Sequence, residues 1–194
     1  MTKTELFKKI ISLDTGIPYE KLRGGWLTKK QRNQIADREN TFFNLSNLII
    51  ADDLFSLKSI YRSVKNNKPD LVIVDFIQMM RFAKGESRAY QIEEIMKGFK
   101  SIAKLENCVV VVLSQINRDS DKLQGNIPRL ENLKGSGSLE EGGDIVMLIH
   151  WAHKYDLDKP EENVQIVVAK NRHGKTGKIT LKFDPNIGKY SCDN

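Results

Sequence analysis

The chain reads as an α/β protein, a mostly parallel sheet flanked by helices with a C-terminal antiparallel hairpin. Two continuous apolar runs, "LVIV" at Leu71 to Val74 and "CVVVV" at Cys108 to Val112, have the composition of strands buried on both faces. Between them Ile92, Ile95, Met96, Phe99 and Ile102 step by three or four, which predicts a helix over 89–105 that covers a sheet. The tail differs, since Val164 to Ala169 and Ile179 to Phe183 are strand-like and joined by "KNRHGKTGK", short enough for a hairpin at the sheet edge.

The earlier elements follow in order. Thr2 with Glu5 forms a capping box before Leu6, Ile10 and Ile11, and Gly16 and Pro18 end that helix. Thr28 is placed to cap a second helix through "KKQRNQIADRENTFFNLS", after which Leu48 to Ile50 lead into Asp52 and Asp53 as a short buried strand. Leu57, Ile60, Tyr61 and Val64 mark another helical stripe, broken by Asn66, Asn67 and Pro69.

At 194 residues, 40% hydrophobic and 29% charged, the composition is that of a globular chain, and the length suits one domain over 1–194. Its 31 basic and 25 acidic side chains leave a formal charge of +6. That surplus suits a polyanionic partner, and equally an ordinary solvated surface. Two cysteines, Cys108 and Cys192, make neither a disulfide framework nor a zinc pattern. His150 and His153 have no further Cys or His around them and read as surface histidines. No apolar run is long enough to span a bilayer, and Lys8, Lys9 and Asp14 interrupt any signal-like core. No membrane partner is expected, and a reducing, cytoplasmic setting is.

In a parallel α/β sheet, ligands gather at the carboxyl ends of strands. Asp75 ends the first run with Gln78 just beyond, and Ser114, Gln115, Asn117 and Arg118 end the second. A strand-end carboxylate can orient water on Mg²⁺, although Asp also serves there as a turn residue. Gln115 can donate and accept at once, so it can report a phosphate or a water to the following loop. That loop, "RDSDKLQGNIPRLENLKGSGSLEEGGD", holds five glycines and is too long for a plain connector. Lys122, Arg129 and Lys134 within it, and Arg81, Lys84 and Arg88 in "RFAKGESR", make nucleic-acid backbone a reasonable ligand. Lys170 and Arg172 alternate along one strand face, as two cations must to meet one polyanion, and as they also do on an ordinary basic edge strand.

Together these segments resemble the C-terminal ATPase domain of DnaB-type replicative helicases, within the RecA-like fold. "LVIVDFIQMM" is similar to that family's Walker B segment and "VVVLSQINR" to its glutamine sensor. "RLENLKGSGSLEEGGDIVMLI" is similar to its DNA-binding loop with the helix and strand that follow, and "IVVAKNRHGKTGKITLKF" to its closing hairpin. The resemblance implies ATP and Mg²⁺ as cofactors, with Asp75 holding the metal through water and Gln115 linking the γ-phosphate to the DNA loops. Lys170 and Arg172 would reach a neighbouring subunit's nucleotide. Arg81, Lys84, Arg88, Arg118, Lys122, Arg129, Lys134, Gly135, Ser136 and Gly137 would face single-stranded DNA in a homo-hexameric ring, with a primase and a loader as further partners. Where the family often has Arg-Glu before Ser-Gly, this chain has Lys134-Gly135.

One family motif does not occur, since no G-x-x-x-x-G-K-[ST] is present anywhere in the chain. The Ser-Leu-Glu-Met segment, whose Glu polarises the attacking water in that family, does not occur either; Ser138-Leu139-Glu140 is followed by Glu141 and belongs to the later loop. The expectation is therefore the downstream part of a hexameric DNA helicase's ATPase domain, truncated at its start and inactive alone, with gaps in the middle of its sheet. The alternative is a non-catalytic RecA-like module that binds single strands or docks on a helicase.

Overall fold

Helices in this chain start at Lys3, Lys29, Leu57 and Arg88 behind a Thr or Ser that takes up an unpaired amide. Another starts behind Pro18 with no such bond, and strands form where apolar runs find a neighbour. The computed structural model describes residues 1–38, 47–81, 87–116, 127–130 and 136–192, the side chains of Arg88 and Ser136 excepted. In chain order it contains α1 (Lys3–Thr15), α2 (Tyr19–Gly24), α3 (Lys29–Asp37), α4 (Leu57–Asn67), β1 (Leu71–Val74), α5 (Arg88–Glu106) and β2 (Val109–Val112). Then follow α6 (Ser136–Gly142), β3 (Ile145–His150), β4 (Asn163–Asn171), β5 (Gly177–Asp184) and β6 (Lys189–Ser191). The chain gathers into two compact units, Met1–Asp53 with Leu181–Asn194, and Leu54–Thr180.

The first unit holds the three N-terminal helices. Thr2 and Glu5 form the expected capping box, with Glu5 N donating to Thr2 Oγ1 at 3.2 Å and Thr2 N to Glu5 Oε2 at 2.8 Å. Thr28 and Gln31 repeat the device at α3. Ser12 is buried and donates to the Ile17 carbonyl at 2.7 Å, which folds the chain back after α1 so that Ile17 and Leu22 can bury. Leu48 to Ile50, expected as a short buried strand, form none; Leu48 and Ile49 are exposed. A strand needs a partner for its backbone groups, and this segment has none among the described residues. Asp52 instead accepts from Lys3 N at 3.1 Å and pairs with Lys3 Nζ at 3.5 Å.

In the second unit β1 and β2 pair in parallel, Leu71 with Val109 through Val74 with Val112. Ser56 caps α4, which buries Ile60 and Val64 and ends at Lys68 in the left-handed region. α5 supplies Ile92, Ile95, Phe99 and Ile102 to the same core, α6 supplies Leu139, and β3 supplies Leu148. Val72, Val74, Val110, Val112 and Val146 pack against that one cluster. Their alternating neighbours do not: Ile73 is 62% exposed, and Leu71, Val109, Ile145, Met147 and Ile149 are also open. The expectation of strands covered on both faces is thus corrected, because the described helices supply one apolar layer.

The sheet itself comes in two pieces, β1-β2 and the antiparallel order β3-β4-β5-β6. β3 pairs with β4 with a register shift between Val146 and Met147. The hairpin of β4 and β5 was expected at a sheet edge; it lies inside the order, and β3 and β6 are the edges. β3 lies along β4 from Ile145 to His150, and β6 joins β5 with the Tyr190 ring stacked on Phe183 at 4.6 Å.

These burials predict unequal mutational costs in urea unfolding. Phe99→Ala should lose about 3–5 kcal/mol of stability, and Ile73→Thr on the open face less than about 1 kcal/mol.

Candidate functional site

The parallel register decides where the chemistry-bearing side chains stand. Because Val74 and Val112 are partners, Asp75 and Leu113 leave the pair at the same level, and Gln115 follows shortly after. Leu113 N donates to the Val74 carbonyl at 2.9 Å, and Ile77 N returns a bond to the Leu113 carbonyl at 2.9 Å. The two strand tips are therefore laced together beyond the strands themselves. Gln78 completes the lacing: its Nε2 donates to Ser114 Oγ at 2.9 Å and its Oε1 accepts from Gln115 N at 3.4 Å.

The lacing uses backbone and the side chains of Gln78 and Ser114, so it leaves two groups unused. Asp75 and Gln115 are both exposed. Among the described residues neither the Asp75 carboxylate nor the Gln115 side-chain amide has a hydrogen-bonding partner. A solvated carboxylate oxygen is a hard donor that suits Mg²⁺, which keeps most of its waters and takes one or two carboxylates. No group of three or more His, Cys, Asp or Glu side chains gathers among the described residues. The donor set thus fits a cation brought in with phosphates, and offers no closed cage of its own.

Lys170, in β4, and Arg172, just past its end, point the same way, as their spacing predicts. Lys170 Nζ makes a short hydrogen bond to the Glu140 carbonyl and a longer one, 3.5 Å, to that of Glu141. Arg172 donates to the Glu141 carbonyl at 2.9 Å and to Asp144 Oδ1 at 3.0 Å. Lys100 of α5 reaches the same Asp144 oxygen at 3.0 Å. That hydrogen bond from Lys100, with the Lys100 and Arg172 charges behind it, holds the Asp144 carboxyl below the usual carboxylate range against a smaller opposing effect of burial. Among the described residues the Lys170 and Arg172 side chains make no hydrogen bond or ion pair with Asp75 or Gln115.

The described residues among those read as DNA contacts sit on different segments of the chain. Arg81 N donates to the Phe55 carbonyl at 2.7 Å, and its guanidinium lies over the Phe55 ring at 5.6 Å. Arg129 is exposed. Arg88 opens α5, and Ser136 and Gly137 form the first turn of α6. Lys84, Arg118, Lys122, Lys134 and Gly135 lie outside the described residues.

His150 corrects another expectation, since it is buried rather than on the surface. It closes β3 and stacks with Tyr155 at a centroid distance of 6.3 Å. Burial, with Lys178 adding to it, pushes its pKa below the ordinary value of 6.5. His153 is bound separately, its Nδ1 2.7 Å from the Lys159 carbonyl. Motif reading passed over Asp144 and Lys100, and it named Gln78 beside Asp75 without its bridging role. Only Gln78 carried a signal, its place just after the strand-end acid.

Residues 1–192 match the family described as DnaB-like helicase C terminal domain. The chain is 29% identical over 196 residues to a probable plasmid replicative DNA helicase of Chlamydia trachomatis serovar L2, covering 99% of this chain and 42% of that protein. It is 29% identical over 213 residues to the replicative DNA helicase DnaB of Rickettsia typhi, covering 98% and 43%. The chain therefore spans less than half the length of these relatives. A solved DnaB-like replicative helicase, studied with its interactions with primase, superposes with a TM-score of 0.92 at 27% identity over all of this chain and 49% of its own. A second solved structure, an ATPase domain, gives 0.93 at 27% identity over all of this chain and 72% of its own.

The buried histidine carries a pH prediction. Its folded-state pKa is depressed, so below 6.5 the unfolded chain binds the extra proton first, and stability is full above 6.5 and declines as the pH falls through the folded value. Urea midpoints measured from about pH 7.5 to about pH 5.5 should fall, and His150→Gln should flatten that slope.

Proposed function

Because the chain belongs to the DnaB-like helicase C-terminal domain family and has its RecA-like fold, we propose that it is the downstream part of the ATP-driven motor of a hexameric replicative DNA helicase. The observation that carries this reading is the laced pair of strand tips that presents Asp75 and Gln115 together, exposed and unspent. The family match runs through both compact units, which supports treating residues 1–194 as one domain.

Magnesium–ATP, when bound, supplies the phosphoanhydride whose cleavage drives movement and the cation that offsets its charge. In this reading the Asp75 carboxylate holds the cation through water. The Gln115 amide meets the terminal phosphate, and Gln78 passes its position to the neighbouring tip. Lys170 supplies a point charge and Arg172 a planar fork for the phosphates of the adjacent subunit. Arg81, Arg129 and the first turn of α6 are assigned to single-stranded DNA in this reading, and the basic residues of the two loops are assigned the same ligand. A homo-hexamer, a primase and a loader are the partners implied, in a cytoplasmic setting.

Two measurements test this. The 194-residue chain, whose sequence has no phosphate-binding loop, should show no ATP hydrolysis above background, with or without single-stranded DNA. Turnover that Asp75→Asn abolishes would overturn the incomplete-site reading. Affinity for an oligothymidine should fall steeply with salt, and Arg81→Ala or Arg129→Ala should each reduce the log–log slope by about 0.7. Binding indifferent to salt would count against the DNA path.

A further inference from the structure

We propose that Asp144 is a positioning residue that, with the carbonyls ending α6, forms a resting seat for Lys170 and Arg172, and that an oligophosphate displaces α6 from that pair. The proposal rests on reading Lys170 and Arg172 as phosphate-binding groups.

The seat resembles the ligand it would exchange for. The carbonyls of Glu140 and Glu141 stand at the C-terminal end of α6, where unpaired carbonyl oxygens carry partial negative charge. Asp144 adds a full negative charge just beyond. Lys170 and Arg172 both donate to the Glu141 oxygen, and Arg172 commits one terminal nitrogen to Asp144 and the other to Glu141. That fork is what a bidentate grip on phosphate requires, so α6 and a phosphate compete for it.

The balance is built to shift. Arg172, Asp144 and Lys100 have side chains 43%, 51% and 49% exposed, and ion pairs in such positions are weak. The seat itself is well placed, because Lys100 of α5 grips Asp144 independently of Arg172. At Gly142 an added Cβ would stand 3.2 Å from Met96 Cβ, so the last turn of α6 lies close against α5. Displacing the two cations would remove their hydrogen bonds to the Glu140 and Glu141 carbonyls, so that the end of α6 would keep only its packing against α5, while Lys100 keeps Asp144 in position. The opposite end of α6 is the turn with Ser136 and Gly137, the residues assigned to DNA. A phosphate at the pair would in this way be felt on the DNA side through one short helix.

The test needs neither ATP nor DNA, so it stands or falls apart from the helicase reading. Amide hydrogen exchange is followed in the 194-residue chain over residues 138–144 with and without sodium tripolyphosphate. Tripolyphosphate should speed exchange about fivefold. Asp144→Asn should be fast already without it, Asp144→Glu should restore the slow rate, and Lys170→Ala with Arg172→Ala should abolish the response. No acceleration in the unmodified chain, or an equal one in the double variant, overturns the proposal. Should Asp144→Asn fail to fold by circular dichroism, the unmodified chain and the double variant still decide it.

Discussion

The parallel pairing of Leu71–Val74 with Val109–Val112 is the constraint on which the rest of the larger unit depends. Parallel strands need a crossover, and α5 provides it, carrying Ile92, Ile95, Phe99 and Ile102 onto one face of the pair. Because the register brings both strands to an end together, an acid and an amide distant in sequence become neighbours in height. A slip of one residue would turn Val72 and Val74 out of the core and separate the tips. The bonds from Ile77 to Leu113 and from Gln78 to Ser114 and Gln115 guard against such a slip.

Much of this was legible in the residues. Thr2 with Glu5 and Thr28 announce their helices because a cap is a local device, settled within one turn. α5 and both parallel strands follow from periodicity and apolar runs. What periodicity cannot report is whether a partner is present. Leu48 to Ile50 have strand composition and no strand beside them, and the hairpin looked like an edge because β6 is only Lys189–Ser191. His150 closes the otherwise apolar β3, and its burial is set by contacts that no local pattern encodes.

The site was legible in type rather than in grouping. Asp75, Gln115, Lys170 and Arg172 were picked out by position on strands, and the structure puts the first two at one pair of tips. The second two are engaged elsewhere, with the end of α6. Asp144 was overlooked because its importance lies in having Lys100 on one side and Arg172 on the other, a relation between three distant segments.

The open face of the strands has a consequence for how the sequence itself is to be understood. A sheet adapted to having one wet side alternates apolar with polar residues. Here Leu71, Ile73, Val109, Ile145, Met147 and Ile149 stay apolar although water reaches them. Water held against these six apolar side chains is released when any apolar surface covers them, which makes this face the adhesive side of the strands.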